Sequence, residues 1–273
     1  MMLSQRAMDD PSPTRILTRI LILGGSTEAS ALAIVLAGDE RFDVVLSLAG
    51  ATRSPRPQPV PVRRGGFGGV SGLAEFLRVE AVDLLIDATH PFAARMSRHA
   101  VEAAELAGLP LLRIERPAWV AGEGDRWTPV PDMESAARAL GGGTWGETPR
   151  RVLLTVGQKE LASFQAAPWH RYVIRSIDSP DPASLPPHAT FLPGAGPFTV
   201  EAERRLLREH AIEVIVTKNS GGLATVAKLE AARELGLPVV MVSRPSLPPA
   251  ETATDSRGAL RWVLARHEAL RGA

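Results

Sequence analysis

The chain has 273 residues, 45% of them hydrophobic and 22% charged, and its 31 basic and 30 acidic residues leave a net charge of +1. That length holds one large or two small domains, and the composition is that of a globular protein with a real core. The even charge balance argues against a nucleic-acid partner, the lack of cysteine excludes disulfides and thiolate chemistry, and no apolar run approaches the roughly 20 residues that span a membrane.

Met1 to Arg15 carries Asp9, Asp10, Pro11 and Pro13 and lacks the apolar stretch of a signal peptide, so residues 1–18 read as a disordered tail of a cytoplasmic protein. Ile20-Leu21-Ile22-Leu23 then runs into Gly24-Gly25-Ser26-Thr27, and Ala29, Leu32, Ala33, Val35 and Leu36 follow at helical spacing. This is strand, glycine turn, helix. Such a turn gathers backbone N–H groups and the positive end of a helix where a phosphate binds. It is not the G-x-G-x-x-G fingerprint, and a tight turn with Ser26 or Thr27 as N-cap fits the same residues equally well.

Phe42 to Leu48 reads as the second strand. NAD-binding domains commonly place an acid about 20 residues after the glycines, on the ribose 2′-hydroxyl. Ser47 to Arg53 has no acid there, and Thr52 and Arg53 suit a 2′-phosphate, which favours NADPH over NADH. Against this, Arg53 also fits a solvated loop arginine. Val60-Pro61-Val62 is a short third strand, followed by the glycine loop Gly65 to Gly69, with Gly66 in it, and a helix through Leu73, Phe76 and Leu77.

Asp83 to Asp87 is a buried fourth strand, and Asp87-Ala88-Thr89-His90-Pro91-Phe92-Ala93 follows it. Ligands of doubly wound folds sit at the carboxyl ends of strands, so Asp87, Thr89 and His90 are placed at a site. His90 either supplies a proton or binds a carboxylate. Arg95 to Ala107 is helical and Leu111 to Ile114 a fifth strand, and this alternation predicts a parallel, doubly wound sheet. From Pro117 to Arg150 the pattern weakens to one helix near Met133 to Leu140.

Alternation then resumes. Strands are predicted over Arg151 to Thr155, Arg171 to Arg175, Thr190 to Leu192, Ile212 to Thr217 and Val239 to Val242, with helices over Thr199 to His210, Ala224 to Leu235 and Ala253 to His267. Lys218-Asn219-Ser220-Gly221-Gly222 repeats the strand-end anion device, with Lys228 beyond it. Arg95, Arg98, Arg113, Arg116, Lys159, Arg175 and Arg244 stand mostly in loops, a set that suits a polycarboxylate even though each alone fits a surface charge. There is no Tyr-x-x-x-Lys, P-loop, H-E-x-x-H or G-x-S-x-G, so no metal site is expected. The fold expected is α/β: two small Rossmann-like domains with parallel sheets and a cleft between them, residues 19–145 for nucleotide and 146–273 for substrate.

Gly24 to Ala29, Asp87 to Ala93, Arg113-Ile114-Glu115-Arg116-Pro117-Ala118-Trp119, Gly196-Pro197-Phe198, Thr217 to Gly222 with Lys228, and Arg244-Pro245 together resemble the precorrin-6A reductases of cobalamin biosynthesis, from about Arg19 to Trp262. The resemblance implies hydride transfer from NADPH to a double bond (C18–C19) of a tetrapyrrole, giving precorrin-6B, in a cobalt-free or a cobalt-containing version. NADPH is then assigned to Gly24, Gly25, Ser26, Thr27, Thr52, Arg53, Gly66, Asp87 and Thr89. The substrate is assigned to His90, Arg113, Arg116, Lys218, Asn219, Ser220, Gly221 and Lys228, with His90 the candidate proton donor. A monomer or weak homo-oligomer is expected. The competing readings are a nucleotide- or tetrapyrrole-binding protein without catalysis and a reductase of small carbonyls, which the missing Tyr-Lys pair disfavours.

Overall fold

The computed structural model describes residues 17–50, 56–142, 146 and 148–272. The first half supplies β1 (Thr18–Leu23), α1 (Thr27–Ala37), β2 (Phe42–Leu48), β3 (Val62–Arg64), α2 (Val70–Val79), β4 (Leu84–Asp87), α3 (Ala94–Ala107), β5 (Leu111–Ile114), β6 (Arg126–Val130) and α4 (Met133–Gly141). The second supplies β7 (Arg151–Thr155), β8 (Arg171–Ser176), β9 (Ala189–Pro193), α5 (Val200–Glu209), β10 (Val214–Lys218), α6 (Ala227–Glu234), β11 (Pro238–Val242), β12 (Glu251–Ala253) and α7 (Ser256–Gly272). Two sheets form, in the orders β12-β5-β4-β1-β2-β3 and β6-β11-β10-β7-β8-β9. Every pairing is parallel, as the strand–helix alternation predicts.

Apolar residues on both faces explain why the central strands are buried. Ile20 and Ile22 point to one core with Leu32 and Leu36 of α1, while Leu21 and Leu23 point to another with Leu73 and Leu77 of α2. The second sheet repeats this with Val152 and Leu154 on one face and Leu153 on the other. This is the two-faced burial of an all-parallel sheet covered by helices.

The order of strands differs from the expected division at residue 145. β6 lies before that point yet pairs with β11 in the second sheet, and α4 packs into the second core through Ala136, Ala137 and Leu140. β12 lies far beyond it yet pairs with β5 in the first sheet, and Ala259 and Val263 of α7 join the first core. Each sheet therefore takes one edge strand from the other half of the chain. The sequence shows neither edge strand plainly: β6 contains Pro129, which only an edge position tolerates, and β12 is three residues of Glu-Thr-Ala. Both cover what would otherwise be an open edge.

One outcome follows directly. A chain ended after Ala250 loses β12 and α7, leaving the apolar side of α1 and the β5 edge uncovered. It is expected to lose nucleotide binding together with solubility, measured by nicotinamide fluorescence and by the soluble fraction. A truncated chain that binds nucleotide normally would show that α7 is dispensable to the first sheet.

Candidate active site

In both sheets the strand order reverses beside the first strand of the unit, β1 against β4 and β7 against β10. A crevice opens at such a reversal, outside the carboxyl ends of the strands. The first crevice is flanked by the glycine turn after β1 and by the loop Ala88 to Ala93 after β4. The second is flanked by Gly157 after β7 and by Lys218 to Gly222 after β10.

The glycine turn is built for close approach. A Cβ on Gly24 would sit 2.7 Å from Leu46 Cδ1, so the turn lies tight on β2. Gly25 has φ +121° and nothing within 4 Å of its Cβ position, which leaves that side open. Ser26 caps α1 by accepting from Ala29 N at 3.1 Å, and its Oγ donates to Ala88 O at 2.7 Å. The cap therefore also ties the two walls of the crevice together. The other first-turn N–H groups of α1 have no intrahelical carbonyl to use and are available to an anion. At the end of β2, Ser47 to Gly50 carries no acid; Thr52 and Arg53 lie outside the described residues. Arg63 donates to Gly65 O at 2.6 Å and Gly66 O at 2.7 Å, so the second glycine loop is fixed at the end of β3.

The loop after β4 is held from below. Asp87 is 1% exposed, accepts from Thr89 Oγ1 at 2.7 Å and faces Arg113 Nε at 3.4 Å. Arg113, 5% exposed, also donates to Pro248 O at 3.0 Å. Asp87 and Arg113, expected to touch cofactor and substrate, are thus committed to each other beneath the loop. Beside them a small cavity of about 30 Å³ is lined by Asp87, Thr89, His90, Ser97, Arg113 and Arg244, room for a water molecule or two.

His90 accepts a long bond from Phe92 N at Nδ1, 3.3 Å, which leaves Nε2 as the N–H of the neutral ring. Burial, and then the charges of Lys218, Arg116, Arg244 and Lys228, push its pKa down to about 3. Arg244 lines the same cavity as His90, so positive charge faces the imidazole there.

Each cation is anchored differently. Arg116 pairs with Glu28 of α1 at 2.6 Å and donates to Ser220 O at 2.6 Å, joining the first crevice to the second. Arg244 donates to Asn219 O (2.9 Å), Ser220 O (3.2 Å) and Arg116 O (2.8 Å). Lys218 pairs with Glu160 at 2.9 Å and lies 5.2 Å from the Phe92 ring. Asn219 spends both ends of its amide on the backbone of Trp119, at 2.8 and 2.9 Å. Gly221 has φ +70°, and a Cβ there would meet Pro117 O at 2.0 Å, so only glycine permits this contact between loops.

Lys228 departs most from expectation. It is 3% exposed, donates to Thr225 O at 2.9 Å and sits 5.1 Å from the Trp119 ring. Burial, aided by nearby Arg175, pushes its ammonium down to about 7. Arg175 is itself paired with buried Glu203. Lys228 therefore offers its charge from beneath the loop and has no exposed face for a carboxylate to reach.

Glu28, Glu160 and Trp119 emerge as site-building residues whose partners, Arg116, Lys218 and Asn219, lie far off in sequence. No periodicity marks them. Among the described residues no group of three or more His, Asp or Glu is placed to hold a metal, and no helix is long and apolar enough to cross a membrane.

Known proteins are similar to this chain over most of its length. The family model described as Precorrin-6x reductase CbiJ/CobK matches residues 19–264. A precorrin-6A reductase of Rhodobacter capsulatus is 47% identical over 90% of this chain and 96% of its own, and one of Rhodococcus erythropolis 49% over 90% and 98%. A cobalt-precorrin-6A reductase of Priestia megaterium is 32% identical over 84% and 91%. A solved structure titled CobK precorrin-6A reductase superposes with a TM-score of 0.85 at 46% identity, covering 92% of this chain and 97% of that one. With the whole stretch from β1 into α7 matched, both crevices included, the chain belongs to the precorrin-6x reductase family.

Proposed function

We propose that the protein reduces the C18–C19 double bond of precorrin-6A to give precorrin-6B, using NADPH, as a cytoplasmic step of cobalamin biosynthesis. The observation that carries this reading is the set of cations built around the His90 loop: Arg244 lines the same cavity as His90, Lys218 lies 5.2 Å from the Phe92 ring, and Arg116 and Arg244 both donate to Ser220 O. A substrate bearing many carboxylates answers that field, whereas a small carbonyl compound does not. The relatives named for cobalt-free precorrin-6A match at 47% and 49% against 32% for the cobalt-precorrin one, which supports the cobalt-free substrate.

The first crevice fits a dinucleotide, because Gly24 packs tight, Gly25 opens outward and the capped start of α1 presents N–H groups. When bound, NADPH supplies the hydride. The chain's own part is positioning. Ser26 holds the turn against Ala88, and the Asp87–Arg113 pair with Thr89 holds the β4 loop. Arg116, Arg244 and Lys218 present positive charge to the substrate's acid arms, with Ser220 and Gly221 shaping the wall and Lys228 adding charge from below. All of these come from one chain, so a monomer suffices. With no acid at the end of β2 to bond a ribose 2′-hydroxyl, NADPH should bind at least about tenfold more tightly than NADH. Equal affinities by fluorescence titration would remove the NADPH assignment.

At a pKa of about 3 the His90 ring is neutral near pH 7 and has no imidazolium proton to give. We assign it as an N–H donor to a substrate carboxylate or carbonyl, with water protonating the second carbon. His90→Ala should lower kcat/KM by about tenfold to a hundredfold, the worth of one hydrogen bond to a charged group, and leave NADPH affinity unchanged. The parent profile should show no His90 step between pH 5 and 8. A step near 6.5 that vanishes in His90→Ala would restore the proton-donor role.

The same shift bears on stability. A histidine whose folded pKa lies below its unfolded value keeps the folded chain less protonated than the unfolded one. The associated stability is whole above about pH 6.5 and is lost as pH falls toward 3, by an amount on the order of a few kcal/mol. His90→Ala should flatten that part of the pH–stability curve.

A further inference from the structure

The reaction proposed above uses the carboxyl ends of the strands. A larger cavity, about 530 Å³, lies at the opposite, amino end of the second sheet. Its lining comes from the starts of β7, β8 and β9 and from His210, the C-cap of α5. That size falls within the range of about 300–1,000 Å³ typical of small-molecule sites.

Its chemistry is one-sided. Arg151 and Arg171 are register partners on the adjacent parallel strands β7 and β8, so their side chains leave the same face. Strands lie about 4.8 Å apart, which holds the two cationic stems side by side. His188, His210 and Thr190 add to the polar wall, and among the described residues no carboxylate lines the cavity. Glu213 stands behind it, bonded to the backbone N–H of Arg151 and to Arg150. Arg151 gives one N–H to His210 O at 3.3 Å, and neither Arg151 nor Arg171 is in an ion pair among the described residues. Two like charges set side by side on neighbouring strands repel each other, and an anion bound between them relieves that repulsion.

The remaining wall is apolar or aromatic. Pro149, Trp169, Val173 and Ala189 supply it, and the indole N–H of Trp169 is buried without a partner among the described residues. The α5 terminus contributes partial negative charge, about half an elementary charge, which two full guanidinium charges outweigh. A guanidinium pair matches phosphate oxygens bidentately, and the apolar wall matches an organic body.

We propose that this cavity is a second ligand site, for an organic phosphate of nucleotide size, separate from both crevices of the reductase site. The proposal does not depend on the identity of the reductase substrate. The test is calorimetric titration of the full-length, NADPH-saturated protein with ATP as probe, so that the first crevice is already filled. One saturable event per chain is expected, weakened about tenfold or more in Arg151→Ser/Arg171→Ser and weakened by added salt, with NADPH affinity unchanged. Arg171→Glu changes only an exposed strand start and carries the same expectation if the double variant proves unstable. No saturable uptake up to millimolar ATP, or uptake unaltered in Arg171→Glu and the double variant, overturns the proposal.

Discussion

Arg113→Ala is expected to lower the free energy of unfolding by about 3–5 kcal/mol, the cost of leaving one member of a buried ion pair alone. Asp87 would keep only the Thr89 hydroxyl and backbone N–H as partners, in a place that is almost wholly enclosed. Pro248 O would lose its donor as well, loosening the segment that leads back to β12. For a chain of this size the melting temperature should fall on the order of 10 °C, measured by calorimetry. The double variant Asp87→Leu/Arg113→Met removes both charges and should be much less destabilised, because no orphaned charge remains. A single variant within about 1 kcal/mol of the parent would mean that water reaches Asp87 freely.

Gly221→Ala should have the larger effect on turnover. The added Cβ would land 2.0 Å from a backbone carbonyl, Pro117 O, and 2.6 Å from Arg244 Nη2, at a φ of +70°. A backbone oxygen cannot swing aside as a side chain can, so the loop carrying Lys218 to Gly222 must back away from Arg116 and Arg244. A displacement of about 1 Å at a positioned site costs on the order of a hundredfold in rate. We expect at least that loss of kcat/KM on precorrin-6A, with NADPH affinity nearly unchanged because the glycine turn belongs to the other sheet. Gly236→Ala is the control: its φ is +64° but nothing lies within 4 Å of the Cβ position. It should cost only backbone strain, about 1–2 kcal/mol of stability, and little activity. If Gly221→Ala turns over normally, the contact between Pro117 and Gly221 does not set the cleft.

The central strands and their helices are readable because burial on both faces writes a continuous apolar run, as in Leu84 to Ile86, and because apolar residues recur at helical spacing, as in α1. Three of the motifs, Gly24 to Ala29, Asp87 to Ala93 and Thr217 to Gly222, lie beside the two topological switch points, after β1, β4 and β10. What stayed hidden was everything set by distant pairing. β12 is three polar-leaning residues that become a strand only against β5, and β6 reads as a loop until β11 pairs with it. The roles of Arg113, Asn219 and Lys228 were hidden for the same reason. A basic or amide side chain near a strand end or helix start looks free to bind ligand, and only the fold shows Arg113 turned to Asp87, Asn219 to the Trp119 backbone, and Lys228 inward. The partner of Arg116, Glu28, lies 88 residues away.

The account stands or falls on turnover with isotopic bookkeeping. Enzymatically prepared cobalt-free precorrin-6A is mixed with the protein and NADPH deuterated on the transferable face of C4, and both nicotinamide absorbance and product label are followed. The expected result is substrate-dependent loss of NADPH in equal amount to product, little loss with NADH, and deuterium on one carbon of the C18–C19 pair, the other taking its hydrogen from solvent. Protein that binds NADPH yet consumes none with cobalt-free or cobalt-containing substrate would contradict the reductase assignment and leave a binding protein in its place.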